Sequence, residues 1–168
     1  MLEISLKGRH ALVTGGSRGI GAEIGRIFAE CGADVAFTYR TSDEAARTLL
    51  EEMRRKRGTH VALKASADDP VGMQRAVEAA AGALGAIDIL VANVAYVQDK
   101  TVADLTIEEW RKGIDANLDA TYTAIKLAYP YLNNAKRGDI LMIGSSAAYD
   151  GGGRSEERRV GKECRSRW

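Results

Sequence analysis

Apolar residues recur along this chain in two alternating rhythms. Five short stretches are almost continuously apolar: 10–14, 34–39, 61–65, 88–93 and 138–145. Such runs, bounded by glycine and polar residues, read as strands, and the nearly continuous run at 88–93 marks a strand covered on both faces. Between them, apolar positions fall at helical spacing. Ile20, Ile24, Ile27 and Phe28 outline a helix ending near Cys31-Gly32, where glycine supplies a left-handed final turn. Ala46, Leu49, Leu50 and Met53 outline a second helix from Asp43 to Arg57, stopped by Gly58, with Thr41 and Glu44 at capping-box spacing. Asp69-Pro70 opens an alanine-rich third helix through Ala83. A polar loop over 96–105 precedes Thr106, which caps a long helix expected to reach Asn133.

Strand and helix alternate, and each crossover is long enough to hold a helix, as parallel pairing requires. The expected fold is α/β, a Rossmann-like doubly wound parallel sheet with ligands at the carboxyl ends of its strands. Residues 1–153 read as one domain. After Gly151-Gly152-Gly153 the periodicity stops, and residues 154–168 read as a disordered basic tail.

Charge sharpens that boundary. Residues 154–168 carry six basic and three acidic side chains, against 24 and 23 in the whole chain; residues 1–153 keep 18 and 20, a net of about −2. A nucleic-acid reading would rest on the tail alone, so the expectation is no nucleic-acid partner. No run approaches a membrane span and the first residues lack a signal-peptide pattern, so no membrane partner is expected. Cys31 and Cys164 have no metal or redox spacing, which fits a cytoplasmic location and no metal site.

The chemistry gathers at Thr14-Gly15-Gly16-Ser17-Arg18-Gly19-Ile20-Gly21, a glycine turn between strand and helix. Backbone N–H groups and the positive end of a helix dipole there suit a phosphate. With no Lys-Ser/Thr after the glycines it is not a nucleotide P-loop, and its Gly-x3-Gly-x-Gly spacing differs from G-x-G-x-x-G. It reads as the pyrophosphate cradle of a nicotinamide cofactor, held by Gly15, Ser17, Arg18, Gly19, Ile20 and Gly21, with Asn93 after the fourth long strand. A carboxylate at the end of the second strand would select a free ribose; here that end is Tyr39-Arg40. Arg40 with Arg18 suits a 2′-phosphate, which favours NADP(H) over NAD(H). The plain alternative makes Arg40 a solvated loop residue.

These residues resemble the short-chain dehydrogenase/reductase family over about residues 5–153. The carriers are the glycine stretch, Asp88-Ile89-Leu90-Val91-Ala92-Asn93-Val94-Ala95, Asp115-Ala116-Asn117-Leu118 and Ile143-Gly144-Ser145-Ser146. The nearest flavour is the 3-oxoacyl-thioester reductases. The resemblance implies hydride transfer between a nicotinamide and a carbonyl or alcohol carbon of a small molecule. It implies that Ser145 hydrogen-bonds the substrate oxygen and that Asn117 holds a water in a proton relay; the plain alternatives are a strand-end serine and a buried helix amide. It also implies a homo-oligomeric full-length parent, whose interface uses the long helix after Thr106. With the partner helix absent, Ile114, Leu118, Tyr122, Ile125 and Leu127 are expected to form an exposed apolar surface. A non-catalytic dinucleotide-binding or regulatory module is the competing class.

The sequence also departs from the family. Ala92-Asn93-Val94-Ala95 stands where Asn-Asn-Ala-Gly is usual, and Ser66, with Asp68 and Asp69 beyond, where an aspartate usually faces the adenine. The family's general-acid tyrosine and its lysine are expected near positions 158 and 162, which hold Arg158 and Lys162; Tyr149 is too near Ser145, with Gly153 in the lysine's place. Without the Tyr-x-x-x-Lys pair the chain is expected to be inactive, a C-terminally truncated, incomplete sheet that keeps five strands and lacks the last ones. Residues 154–168 resemble the translation of a common sequencing adapter.

Overall fold

The computed structural model describes residues 4–98 and 100–145. Five strands form one parallel sheet in the order β3-β2-β1-β4-β5: β1 (His10–Val13), β2 (Asp34–Tyr39), β3 (His60–Lys64), β4 (Ile89–Ala92) and β5 (Asp139–Met142). The chain builds outward from β1 through β2 to β3, then crosses back to place β4 on the other side of β1. That reversal opens a crevice at the carboxyl ends of β1 and β4.

The unbroken apolar runs are explained by two cores, one on each face. Ala11 and Val13 of β1, Val35 and Phe37 of β2, and Ile89 and Val91 of β4 pack against α1 (Gly19–Glu30) and α2 (Asp43–Arg54) through Ala22, Ala29, Ala46, Leu49 and Met53. The intervening Leu12, Ala36 and Leu90 face α3 (Pro70–Leu84) and α5 (Ala120–Asn134) through Val77, Ala80, Leu84, Ala124, Ala128 and Leu132. Successive strand residues point to opposite faces, so a strand covered on both must be apolar at every position.

Local signals set the helix ends. Asp69 caps α3 by accepting from the Gly72 N–H at 3.0 Å, with Pro70 in the first turn. Thr106 and Glu109 form a reciprocal capping box at the start of α4 (Ile107–Ile114). Three expectations are corrected. The second helix is capped at Ser42, not Thr41, with no side-chain cap bond, and it ends at Arg54 rather than Arg57. The long helix from Thr106 is not continuous: a π turn over Asp115–Asp119 separates α4 from α5, and the Ala120 N–H reaches the Asp115 carbonyl, five residues back. The expected apolar surface is also smaller. Leu118 and Tyr122 are exposed at 61% and 62%, whereas Ile125 and Leu127 pack against the core.

At the amino ends of the strands a chain of charges crosses the sheet. Arg9 Nε meets Asp88 Oδ1 at 2.5 Å and Arg9 Nη2 meets Asp139 Oδ2 at 2.8 Å. His10 Nδ1 lies 2.9 Å from Asp88 Oδ2, and His10 Nε2 lies 3.7 Å from Asp34 Oδ2. Asp34 also accepts from the Thr59 N–H. These contacts tie the starts of all five strands together.

Candidate functional site

The glycine turn after β1 is held from both sides. Toward β2, the Gly15 N–H donates to Thr38 Oγ1 at 3.2 Å and the Gly16 N–H to the Thr38 carbonyl at 2.8 Å. Toward β4, Asn93 Nδ2 donates to the carbonyls of Thr14 and Gly15 at 3.1 and 3.0 Å, and the Asn93 N–H donates to Thr14 Oγ1 at 3.0 Å. Two glycines in this turn are required by space: a Cβ on Gly16 would lie 2.5 Å from Phe37 Cβ, and one on Gly21 would lie 2.7 Å from the Gly15 carbonyl oxygen.

At Gly19 the reason is different. Its φ of +57° is left-handed, and a Cβ there would meet nothing within 4 Å. Its face is open. Just behind it α1 begins with no side-chain cap and no acidic residue in its first turn, so its N–H groups keep their appetite for an anion.

A cleft of 490 Å³ lies over this turn, within the range that holds a small-molecule ligand. Gly15, Ser17, Arg18 and Gly19 form its floor, the 38–42 segment one wall, the 65–68 segment the next, and Asn93 to Tyr96 with Lys112, Asp115 and Ala116 the far side. Seven sequence-chosen residues are thus brought together: Gly15, Ser17, Arg18, Gly19, Tyr39, Arg40 and Asn93. Ile20 and Gly21 are not in the wall; Ile20 is 62% exposed on α1 and Gly21 is buried behind the turn. Ser66 and Asp68 line the cleft, with the Ser66 hydroxyl donating to Asp68, while Asp69 is spent as the cap of α3.

Sequence reasoning passed over Thr38. A buried β-branched residue reads as core, yet its hydroxyl and carbonyl fix the turn. The only textual cue was a hydroxyl one position before the strand end, facing the glycines. Lys112 was also passed over; its Nζ stands 5.1 Å from the centroid of the Tyr96 ring.

Asn117 is not the buried amide of its plain alternative. It is exposed in the π turn, and both ends of its amide hold Tyr96: the Tyr96 N–H donates to Oδ1 at 2.8 Å and Nδ2 donates to the Tyr96 carbonyl at 2.9 Å. The Thr121 hydroxyl takes the Asn117 carbonyl at 2.8 Å. Asn117 therefore fixes the loop after β4 along the cleft. Ser145 is exposed, three residues past the end of β5, and is not among the described residues that line the cleft. Ser146, Tyr149, Gly153, Arg158, Lys162 and the basic tail lie outside the described residues. Two Tyr-x-x-x-Lys sequences, at Tyr96–Lys100 and Tyr122–Lys126, come before Ser145 rather than after it. Lys100 is paired with Glu109 at 2.5 Å, and Lys126 lies 5.9 Å from the Tyr122 ring on exposed α5.

Electrostatics divide the wall. The Lys64 ammonium contacts both oxygens of Asp43, at 2.8 and 2.7 Å. It holds the Asp43 carboxyl below its usual range, while burial, then Asp43, pushes the Tyr39 phenol up. Arg18 and Arg40 form no ion pair among the described residues.

A parallel sheet with a glycine turn at its switch point is shared by many dinucleotide proteins; the sequence as a whole discriminates. The profile of the short chain dehydrogenases matches residues 9–155. The chain belongs to the short chain dehydrogenase family. Among family members it is 39% identical, over 147 residues and 88% of its length, to the short-chain dehydrogenase/reductase FrzI of Cladobotryum sp, of which it covers 56%. It is 32% identical over 137 residues to the 3-oxoacyl-(acyl-carrier-protein) reductase FabG of Staphylococcus aureus, covering 82% of this chain and 56% of that protein. A short chain dehydrogenase of Burkholderia cenocepacia, solved in complex with NADP, superposes with a TM-score of 0.84 at 34% identity, over 95% of this chain and 64% of that one. The chain spans just over half the length of the curated short chain dehydrogenases it matches. Among the described residues no helix is long and apolar enough to cross a membrane, and no group of His, Cys, Asp and Glu could hold a metal ion.

Proposed function

We propose that this chain is the cofactor-binding part of an NADP(H)-dependent oxidoreductase that interconverts carbonyl and alcohol groups of a small molecule. One observation carries the reading. The open face of Gly19, the uncapped start of α1 and the unpaired cations Arg18 and Arg40 line one cleft at the switch point of the sheet. The residues fit a dinucleotide phosphate group by group. The N–H groups of the glycine turn and α1 take a pyrophosphate. The guanidiniums of Arg40 and Arg18 take a 2′-phosphate, and Ser66, Ala67 and Asp68 edge the adenine end. When bound, the nicotinamide supplies the hydride donor or acceptor. Asn93 keeps the turn in shape, Asn117 keeps the Tyr96 loop beside it, and Ser145 supplies a hydroxyl for a substrate oxygen. The NADP complex of the Burkholderia cenocepacia relative supports the choice of cofactor, and the FabG relative supports a 3-oxoacyl-thioester-like substrate class.

Proton delivery to a carbonyl oxygen needs an acid of tuned pKa, and no Tyr-x-x-x-Lys follows Ser145 at the family's distance. The 168-residue chain is accordingly expected to bind NADPH without turning over ketones. Calorimetric titration should show saturable NADPH binding, weakened about tenfold or more by Arg40→Ala or Arg18→Ala, as expected for a lost charge-assisted hydrogen bond. Ketone-dependent loss of NADPH absorbance at enzymatic rates would overturn the inactive reading; equal binding of NADH and NADPH would overturn the cofactor choice. We also read residues 154–168 as foreign to the coding sequence, a reading supported by the family match ending at residue 155. Independent sequencing that returns the same codons through Trp168 would overturn it.

A further inference from the structure

The selectivity of the cleft rests on charges, and one of them is out of place. Asp43 is the first acidic residue after β2, three positions beyond Arg40. It begins α2, the helix that leaves the wall formed by residues 38–42. A free carboxylate there would repel a phosphate and compete for the same guanidiniums. It is not free: Lys64, the last residue of β3, reaches across from the neighbouring strand and contacts both of its oxygens. The register places Lys64 directly opposite Tyr39, the last residue of β2.

We propose that Lys64 is a specificity-determining positioning residue: by occupying Asp43 it keeps Arg40 and Arg18 available to the 2′-phosphate of the cofactor. The inference rests on the NADP(H) reading above and adds a residue outside the cleft wall, acting through another residue. The pair is more than half exposed on both sides, 57% and 61%, so its influence is that of a surface charge. It falls with added salt. The arrangement also accounts for a carboxylate near the strand end of a site read as phosphate-selective: the negative charge is present, but its partner cancels it.

The test is a cycle on the full 168-residue chain, with dissociation constants for NADPH and NADH measured by calorimetry at low and high salt. Lys64→Gln should weaken NADPH by about threefold to fivefold, the upper range for an exposed charge pair, and leave NADH unchanged. Asp43→Asn on its own should leave the NADPH/NADH ratio at the wild-type value, and added to Lys64→Gln it should restore it. Lys64→Arg should behave as wild type, which a merely bulky role for the side chain would also allow; the restored ratio in the double variant is what such a role would not produce. If Lys64→Gln weakens NADPH equally with and without Asp43→Asn, Lys64 touches the phosphate itself and the proposal falls. If wild type favours NADPH and Lys64→Gln changes nothing, the proposal falls while the cofactor reading stands. If wild type shows no preference but Lys64→Gln shifts the ratio toward NADH, the cofactor reading falls and the role of Lys64 stands. Circular dichroism on each variant confirms that the fold is retained, and Lys64→Met, which also frees Asp43, should lower the NADPH/NADH preference in the same way if Lys64→Gln does not fold; an unchanged preference in that variant overturns the proposal.

Discussion

The two ends of the sheet treat charge in opposite ways. At the amino ends of the strands charges form a connected chain: Arg9 bridges Asp88 and Asp139, and His10 stands between Asp88 and Asp34. Arg9 holds the Asp139 carboxyl below its usual range. At the carboxyl ends, Arg18 and Arg40 have no ionic partner among the described residues, and a helix begins without a cap. Paired charges at the first end hold strands in register. Unpaired ones at the second are a standing cost in self-repulsion that a stability argument leaves unexplained and that an anionic ligand would relieve. The contrast supports the proposed cofactor site on grounds independent of any relative.

The comparison can be broken or sharpened by substitution. The largest effect is expected at the structural end. Asp88→Ala strips partners from both Arg9 and His10, and should lower unfolding free energy by about 2–3 kcal/mol in urea titrations. Next comes Gly21→Ala, whose Cβ would press on the Gly15 carbonyl and on Asn93 Nδ2. Overpacking of that kind costs about 1–3 kcal/mol, and it should show as NADPH binding roughly tenfold to a hundredfold weaker. A smaller effect, confined to one pH window, belongs to His60 at the start of β3. It is 4% exposed, and neither ring nitrogen has a hydrogen-bond partner. Burial lowers its pKa from the ordinary 6.5, so the unfolded chain takes up the proton first. His60 therefore contributes its stability above pH 6.5, and that contribution is lost as the pH falls toward the depressed value of the folded state. Unfolding free energy should drop on acidification from pH 6.5, by less than about 1.4 kcal/mol per pH unit, and His60→Gln should flatten that slope. The smallest change in stability is expected at the ligand end. Arg40→Ala should stay within about 0.5 kcal/mol of wild type in the absence of cofactor, while losing NADPH affinity. A loss there comparable to that of Asp88→Ala would abolish the distinction between the two ends.

Much of this was legible in the sequence because the determinants are local. A strand covered on both faces must be apolar at consecutive positions, so Ala11-Leu12-Val13 and Ile89-Leu90-Val91-Ala92 announced themselves, and Asp69-Pro70 and Thr106 marked helix starts by capping chemistry alone. The glycine turn was legible because few backbones need four glycines in seven residues. What stayed hidden depends on partners distant in sequence. Thr38 meets Gly15 across 23 residues, and Asn117 meets Tyr96 across 21; neither contact leaves a periodic trace. The π turn was invisible for a related reason. Only Ile107, Trp110 and Ile114 mark a phase before the extra residue, too few to show the break, so 106–133 read as one helix. The expected apolar surface came from the family's interface helix: Ile125 and Leu127 were expected outward as its contacts, and the core receives them instead.

That wide turn has a consequence for how the gene can vary. Each residue of an α-helix turns the chain by about 100°. The wide turn spends one extra residue on nearly the same rotation, so loss of one codon within 115–119 would return the backbone to ordinary pitch and leave Ile107–Ile114 on its present face. Ala120, Ala124, Ala128 and Leu132, which anchor α5 in the core, would stay in place, because α4 buries none of its own residues. Asn117 would lose the wide-turn position from which it holds Tyr96. A one-codon change in length here would therefore alter the Tyr96 side of the cleft and leave both helices in place, the inverse of a length change within any of the five strands.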